Sequence, residues 1–185
     1  RAEQEHLQRR LYDASTSEEV QQRFRDALER IPSARGVLLG VPSDVGAGFR
    51  RGANLGPQAI RLRLLEDGVD LASRGVVDLG DVFVVPQLLS DEMLSEAQLE
   101  ASRLALYPGH SASVRALLPV SPLSIERRVL ELVLGLNPKV KPFVLGGDHS
   151  TALPAVQALA AVAQQPWGIV QPDAHTDLLE TRLGI

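Results

Sequence analysis

Apolar residues follow two rhythms along this chain. Short continuous apolar runs at 37–41, 76–78, 141–145 and 167–170 are bounded by Gly, Pro, Asp or Gln and read as buried strands. Between them the spacing turns helical. A helix is expected from Pro57 until Gly68 ends it, a second over 90–106, a third from Ser121-Pro122 or Ser124 to Gly135, and a fourth over 151–164. In the third, Ile125, Val129, Leu132 and Val133 form an apolar stripe. A polar helical segment occupies 1–30, and the Pro-Gly pair inside 107–113 marks a loop. Strands alternating with helices predict a mainly parallel sheet in a three-layer α/β/α sandwich, built as a single domain over 1–185.

Composition narrows the possibilities without choosing a chemistry. The 185 residues are 44% hydrophobic, enough to bury a core as one unit, and only 4% aromatic, so packing rests on Leu, Val, Ala and Ile. A formal net charge of −4 leaves no electrostatic footprint for nucleic acid, and no apolar run approaches the roughly 18 residues of a membrane span. The absence of cysteine excludes a disulfide scaffold and fits a reducing, cytoplasmic setting. Arg1 opens a charged, helix-favouring stretch with no signal-peptide pattern, and the missing initiator Met places the expected start upstream.

Candidate chemistry concentrates at two expected strand ends. An extended backbone sends residues i, i+2 and i+4 to one side, so Asp173, His175 and Asp177 aim two carboxylates and an imidazole at one point, a metal-site geometry. Upstream, the 141–145 run leads into Gly146-Gly147-Asp148-His149-Ser150, which puts His149 at another strand end. One crossover helix between the two runs would make them neighbours. Open α/β sheets bind their ligands at such carboxyl ends. Asp148 is either the carboxylate that receives the far N–H of a metal-bound imidazole or the cap of the following helix.

Other polar features have plainer readings. Asp78 and Asp81 suit a turn around Gly80, and His6 and His110 sit in polar or loop-like surroundings. Gly46-Ala47-Gly48 follows a strand, yet the third glycine comes at Gly52, one residue late for a dinucleotide loop. Arg50 and Arg51 read as loop or subunit-contact residues.

Together the segments Gly146-Gly147-Asp148-His149-Ser150 and Asp173-Ala174-His175-Thr176-Asp177 resemble the ureohydrolase family of arginases, agmatinases and formiminoglutamases. The glycine-rich stretch from Ser43 to Gly56-Pro57-Gln58-Ala59-Ile60-Arg61 is similar to the family's N-terminal signature, and Asp78-Leu79-Gly80-Asp81-Val82 to its next strand end. The order runs from about Gly36 onward and looks more agmatinase-like than arginase-like. The resemblance implies an arginase-like fold, with His149, Asp173, His175 and Asp177 as ligands of two manganese ions and Asp173 as the bridge between them. Oxygen and imidazole donors suit manganese, while ligand type leaves zinc, iron and cobalt open. The family's later Ser-x-Asp-x-Asp-x-x-Asp-Pro segment has no counterpart here, so an incomplete, N-terminal portion of the domain is expected.

The implied activity is hydrolysis of a guanidino compound or related linear amidine, with hydroxide between the ions attacking the guanidinium carbon to release urea. Leu178 and Leu179 stand where arginases carry polar residues, and an apolar pair cannot solvate an α-carboxylate, which favours a substrate such as agmatine over L-arginine. A small-molecule substrate, neither nucleic acid nor membrane, and a homo-oligomer, trimer or hexamer, are implied with it. Two alternatives belong to other classes. One is a non-catalytic relative or subunit with an incomplete metal site, and the other a deacetylase-branch enzyme using one zinc, against which Gly-Gly-Asp-His-Ser speaks.

Overall fold

The computed structural model describes residues 2–47 and 49–174, in a mixed arrangement of helices around a three-stranded parallel open sheet. The N-terminal polar segment is two helices rather than one, α1 (Ala2–Leu11) and α2 (Ser17–Glu29). They part at Asp13, whose φ of 46° leaves the helical region. Thr16 and Glu19 then start α2 with a reciprocal capping box: Thr16 Oγ1 accepts from the Glu19 amide at 3.2 Å while Glu19 accepts from the Thr16 amide at 3.3 Å.

Strand β1 (Gly36–Val41) lies in the middle of the sheet, between β2 (Val76–Asp81) and β3 (Lys141–Gly146), and pairs in parallel with both. All six of its residues are buried, as a run without alternation requires when both faces are covered. Val37, Leu39 and Val41 face one side and pack with Leu130, Val133 and Leu134 of α6 (Pro122–Leu136) and Ala158 of α7 (Ala152–Val162). The opposite side of β1 meets α3 (Gly56–Glu66) at Gly40, where a Cβ would fall 2.8 Å from the Arg61 guanidinium. Helices therefore cover both faces, giving the three layers expected.

The remaining helices, α4 (Glu96–Leu106) and the one-turn α5 (Ala112–Arg115), lie in the long β2-to-β3 connection. The start of α6 is secured from a distance. Ser121 occupies the cap position without capping through its own side chain, and Asp91 instead accepts from the amides of Ser121 at 2.9 Å and Val120 at 3.2 Å. A carboxylate at that end also meets the positive pole of the helix.

One expectation holds in part and another fails. Of the α6 stripe, Val133 is buried and Ile125 and Val129 pack against the core, but Leu132 is 53% exposed, and Pro122, Leu123, Glu126, Leu130 and Leu134 are buried as well. The helix packs on α7 as well as on the sheet, so its buried face is broader than one stripe and includes a carboxylate. The 167–170 run is not a strand and is not buried; Val170 is 94% exposed. Nor is it a neighbour of β3, which pairs with β1 alone among the described residues. Apolar character makes a strand only where a ladder partner and a covering layer exist, and the described residues supply neither for 167–170.

No helix among the described residues is long and apolar enough to cross a membrane.

Candidate functional site

The carboxyl ends of β1 and β3 are stitched together by backbone contacts that only glycine permits. The Gly147 amide donates to Val41 O at 3.1 Å and the Asp148 amide to Ser43 O at 3.0 Å, continuing the ladder past the strands. At Gly147 an added Cβ would sit 1.7 Å from Ser43 O, so no other residue fits without moving the backbone.

The Asp148 side chain performs the capping role. One oxygen accepts from the Ser150 amide at 2.9 Å and from the Ser150 hydroxyl, fixing the single turn His149–Thr151 that leads into α7. The other accepts from the Gly46 amide at 2.8 Å, in the loop after β1. Asp44 organises the same loop by accepting from the Gly52 amide at 2.9 Å and the Arg51 guanidinium.

His149 projects from this turn with its side chain about half exposed, and its Nδ1 lies 3.3 Å from Oδ2 of Asp173. Residues of two separate segments thus meet at the expected position, although the second segment arrives without a strand. The separation suits one cation held by both, since adjacent donors of a six-coordinate ion with bonds near 2.1 Å lie about 3 Å apart. An imidazole nitrogen and a carboxylate oxygen also form the donor set that manganese accepts. Among the described residues no group of three or more His, Asp or Glu side chains gathers in this way. His175 and Asp177, the other two expected ligands, and Leu178 and Leu179 lie outside the described residues.

Asp78 and Asp81 do not join this pair. Asp78 does hold the turn, accepting from the Gly80 amide at 2.9 Å, but its main partner is Arg61, which reaches it with Nε at 2.8 Å and Nη2 at 2.9 Å. Arg61 also donates to Asp81 and, at 2.9 Å, to Gly80 O, and is only 3% exposed. Burial alone would lower the pKa of this guanidinium; the hydrogen bonds and charges of Asp78 and Asp81 reverse that and raise it. A cavity of about 240 Å³ lined by Leu11, Tyr12, Arg61, Leu64 and Asp78 lies beside this network and is not lined by His149 or Asp173. Within it, burial and then the nearby Asp78 charge push the Tyr12 hydroxyl up to about 12.

Sequence reasoning missed two groups. Arg61 stands inside the quoted glycine-loop signature, but nothing local announces its burial between two aspartates. Glu126 is fully buried, neither of its carboxylate oxygens has a partner among the described residues, and burial pushes its pKa up to about 8. Its position between the expected stripe residues Ile125 and Val129 was the available signal.

The family model described as "Arginase family" matches residues 34–184. The chain is 32% identical over 152 residues to an N(1)-aminopropylagmatine ureohydrolase of Thermococcus kodakarensis, covering 78% of this chain and 41% of that protein. It is 32% identical over 147 residues to a mitochondrial agmatinase of Gallus gallus, covering 80% and 35%, and 28% identical over 148 residues to a formimidoylglutamase of Halalkalibacterium halodurans, covering 76% and 37%. The chain thus spans less than half the length of these curated relatives.

Proposed function

The chain belongs to the arginase family, and on that premise we propose that the protein is an agmatinase-like, manganese-dependent hydrolase of a guanidino compound. The observation that carries the reading is the approach of His149 Nδ1 to Asp173 Oδ2 at 3.3 Å, an imidazole and a carboxylate from separate segments meeting at the carboxyl end of the sheet. His149, Asp173, His175 and Asp177 are the residues that would hold two manganese ions, with Asp173 shared between them. Bound there, manganese would lower the pKa of water towards neutrality, which would make hydroxide available for attack on a guanidinium carbon.

The chain's own residues supply the rest. The 3.3 Å pair is partly open to solvent, so both metal and a small substrate can reach it. Leu178 and Leu179 offer nothing to an α-carboxylate, which supports a decarboxylated substrate such as agmatine. The names carried by two of the relatives, agmatinase and N(1)-aminopropylagmatine ureohydrolase, support the same class. The reading extends to a cytoplasmic homo-oligomer, a trimer or hexamer measurable by light scattering.

The test has two arms. Urea release is measured over agmatine, guanidinobutyrate, guanidinopropionate and arginine, and turnover of arginine alone refutes the substrate assignment. Metal content is measured for His149→Ala and Asp173→Ala; each is expected to lose manganese, and unchanged content in both removes the ligand set. Manganese binding without urea release from any of the four supports a non-catalytic relative.

A further inference from the structure

We propose that Asp148 is a positioning residue that couples the loop after β1 to the metal-binding histidine, so that the two are ordered together. The inference rests on the reading of His149 as a manganese ligand and adds what holds that ligand in place. The His149 side chain is about half exposed, and the backbone that carries it sets where the ring can reach.

That backbone is held on both sides by Asp148, through its amide before the histidine and its carboxylate after it. Before His149, the Asp148 amide is tied to Ser43 O at 3.0 Å; after it, the Ser150 amide donates to Asp148 Oδ1 at 2.9 Å. The second oxygen, Oδ2, is spent on the Gly46 amide at 2.8 Å, a group 102 positions away in sequence. One side chain therefore spans two loops, and displacement of either pulls on the other. By linkage, metal held at His149 must steady Gly46 to the same extent that an ordered Gly46 strengthens metal binding.

Two variants load this bridge from opposite ends. Asp148→Asn keeps shape and replaces one acceptor by an NH2 group, so either the Gly46 or the Ser150 amide faces a donor and one bond is lost. Gly46→Ala changes no residue of the histidine turn, but its Cβ would press on Asp148 Oδ1 at 3.1 Å and Ser150 Oγ at 3.2 Å.

The experiment uses the full-length protein and manganese alone, with calorimetric affinity and amide hydrogen exchange at Gly46 as readouts. In the wild type, manganese is expected to slow exchange at Gly46. Asp148→Asn is expected to speed metal-free exchange at Gly46 or at Ser150, whichever amide loses its acceptor, by about fivefold, the loss of one hydrogen bond, and to shrink the protection that metal confers at Gly46. Both variants are expected to weaken manganese binding by about 10- to 100-fold, as loss of a ligand's supporting contact does. If the wild type binds manganese while both variants keep its affinity and Gly46 gains no metal-dependent protection, the coupling is refuted and the ligand assignment stands. If the wild type binds no manganese, the ligand assignment fails and the coupling with it.

Discussion

Replacing Glu126 by Gln removes a buried charge and little else. Glu126 is completely enclosed on α6, and its two oxygens find no partner among the described residues. With no compensating cation among the described residues, burial is the cause that carries its pKa from an ordinary 4.5 to about 8. An acid whose folded pKa is raised binds its proton more tightly in the native state, so stability is fullest below pH 4.5 and is lost as pH climbs towards 8. At about 1.36 kcal/mol per pH unit, the penalty on the wild type is about 1 kcal/mol at pH 5, about 3 at pH 7, and levels off near 5 above pH 8.

Glutamine has the same shape and the same buried polarity as the protonated acid but does not titrate. Urea unfolding of both proteins from pH 5 to 9 should therefore give stabilities that nearly coincide at pH 5 and separate in favour of Glu126→Gln as pH rises. The difference between the two curves isolates Glu126 from every other titrating group. Parallel curves across that range would refute the reasoning, because they would mean that the carboxylate is solvated or paired when ionised.

Three further outcomes follow from other contacts. Arg61→Met should destabilise by about 3 to 5 kcal/mol, since it strands Asp78 and Asp81 without their cation; a midpoint shift in urea equivalent to less than about 1 kcal/mol would show that solvent takes the guanidinium's place. Gly147→Ala forces a Cβ to within 1.7 Å of Ser43 O and should yield little folded protein, read as lost cooperative unfolding. Asp91→Ala strips the Val120 and Ser121 amides, just before α6, of their acceptor and should cost about 0.5 to 2 kcal/mol in thermal or urea unfolding.

Much of the fold could be read from the chain because the signals are local. The start of α3 shows in Pro57 and its end in Gly68, whose φ is 65°. The apolar runs of β1 and β3 announced themselves, whereas His149 and Asp173 come within 3.3 Å without the neighbouring strand ends that the sequence suggested. The two readings of Asp148 could not be separated from sequence, since a carboxylate before a short turn suits a cap and a histidine partner equally; the structure shows the cap and adds Gly46 as a second anchor. Nothing near Arg61 distinguishes a buried charge from an exposed one, and Glu126 offers only its place between Ile125 and Val129, because exposure depends on what packs above the helix.

By itself the sequence determined where helices and strands could begin and end, the apolar strips they would bury, and the motif that places the chain in its family, all of which depend on residues within a turn or two of one another. Tertiary structure alone decided which groups meet across long separations. It paired Arg61 with Asp78 and Asp81, sent Asp91 to the start of α6, buried Glu126 without a hydrogen-bond partner among the described residues, and kept the 167–170 run out of the sheet. Ladder partners, desolvation and ion pairing are properties of the space around a residue, and only the folded chain defines that space.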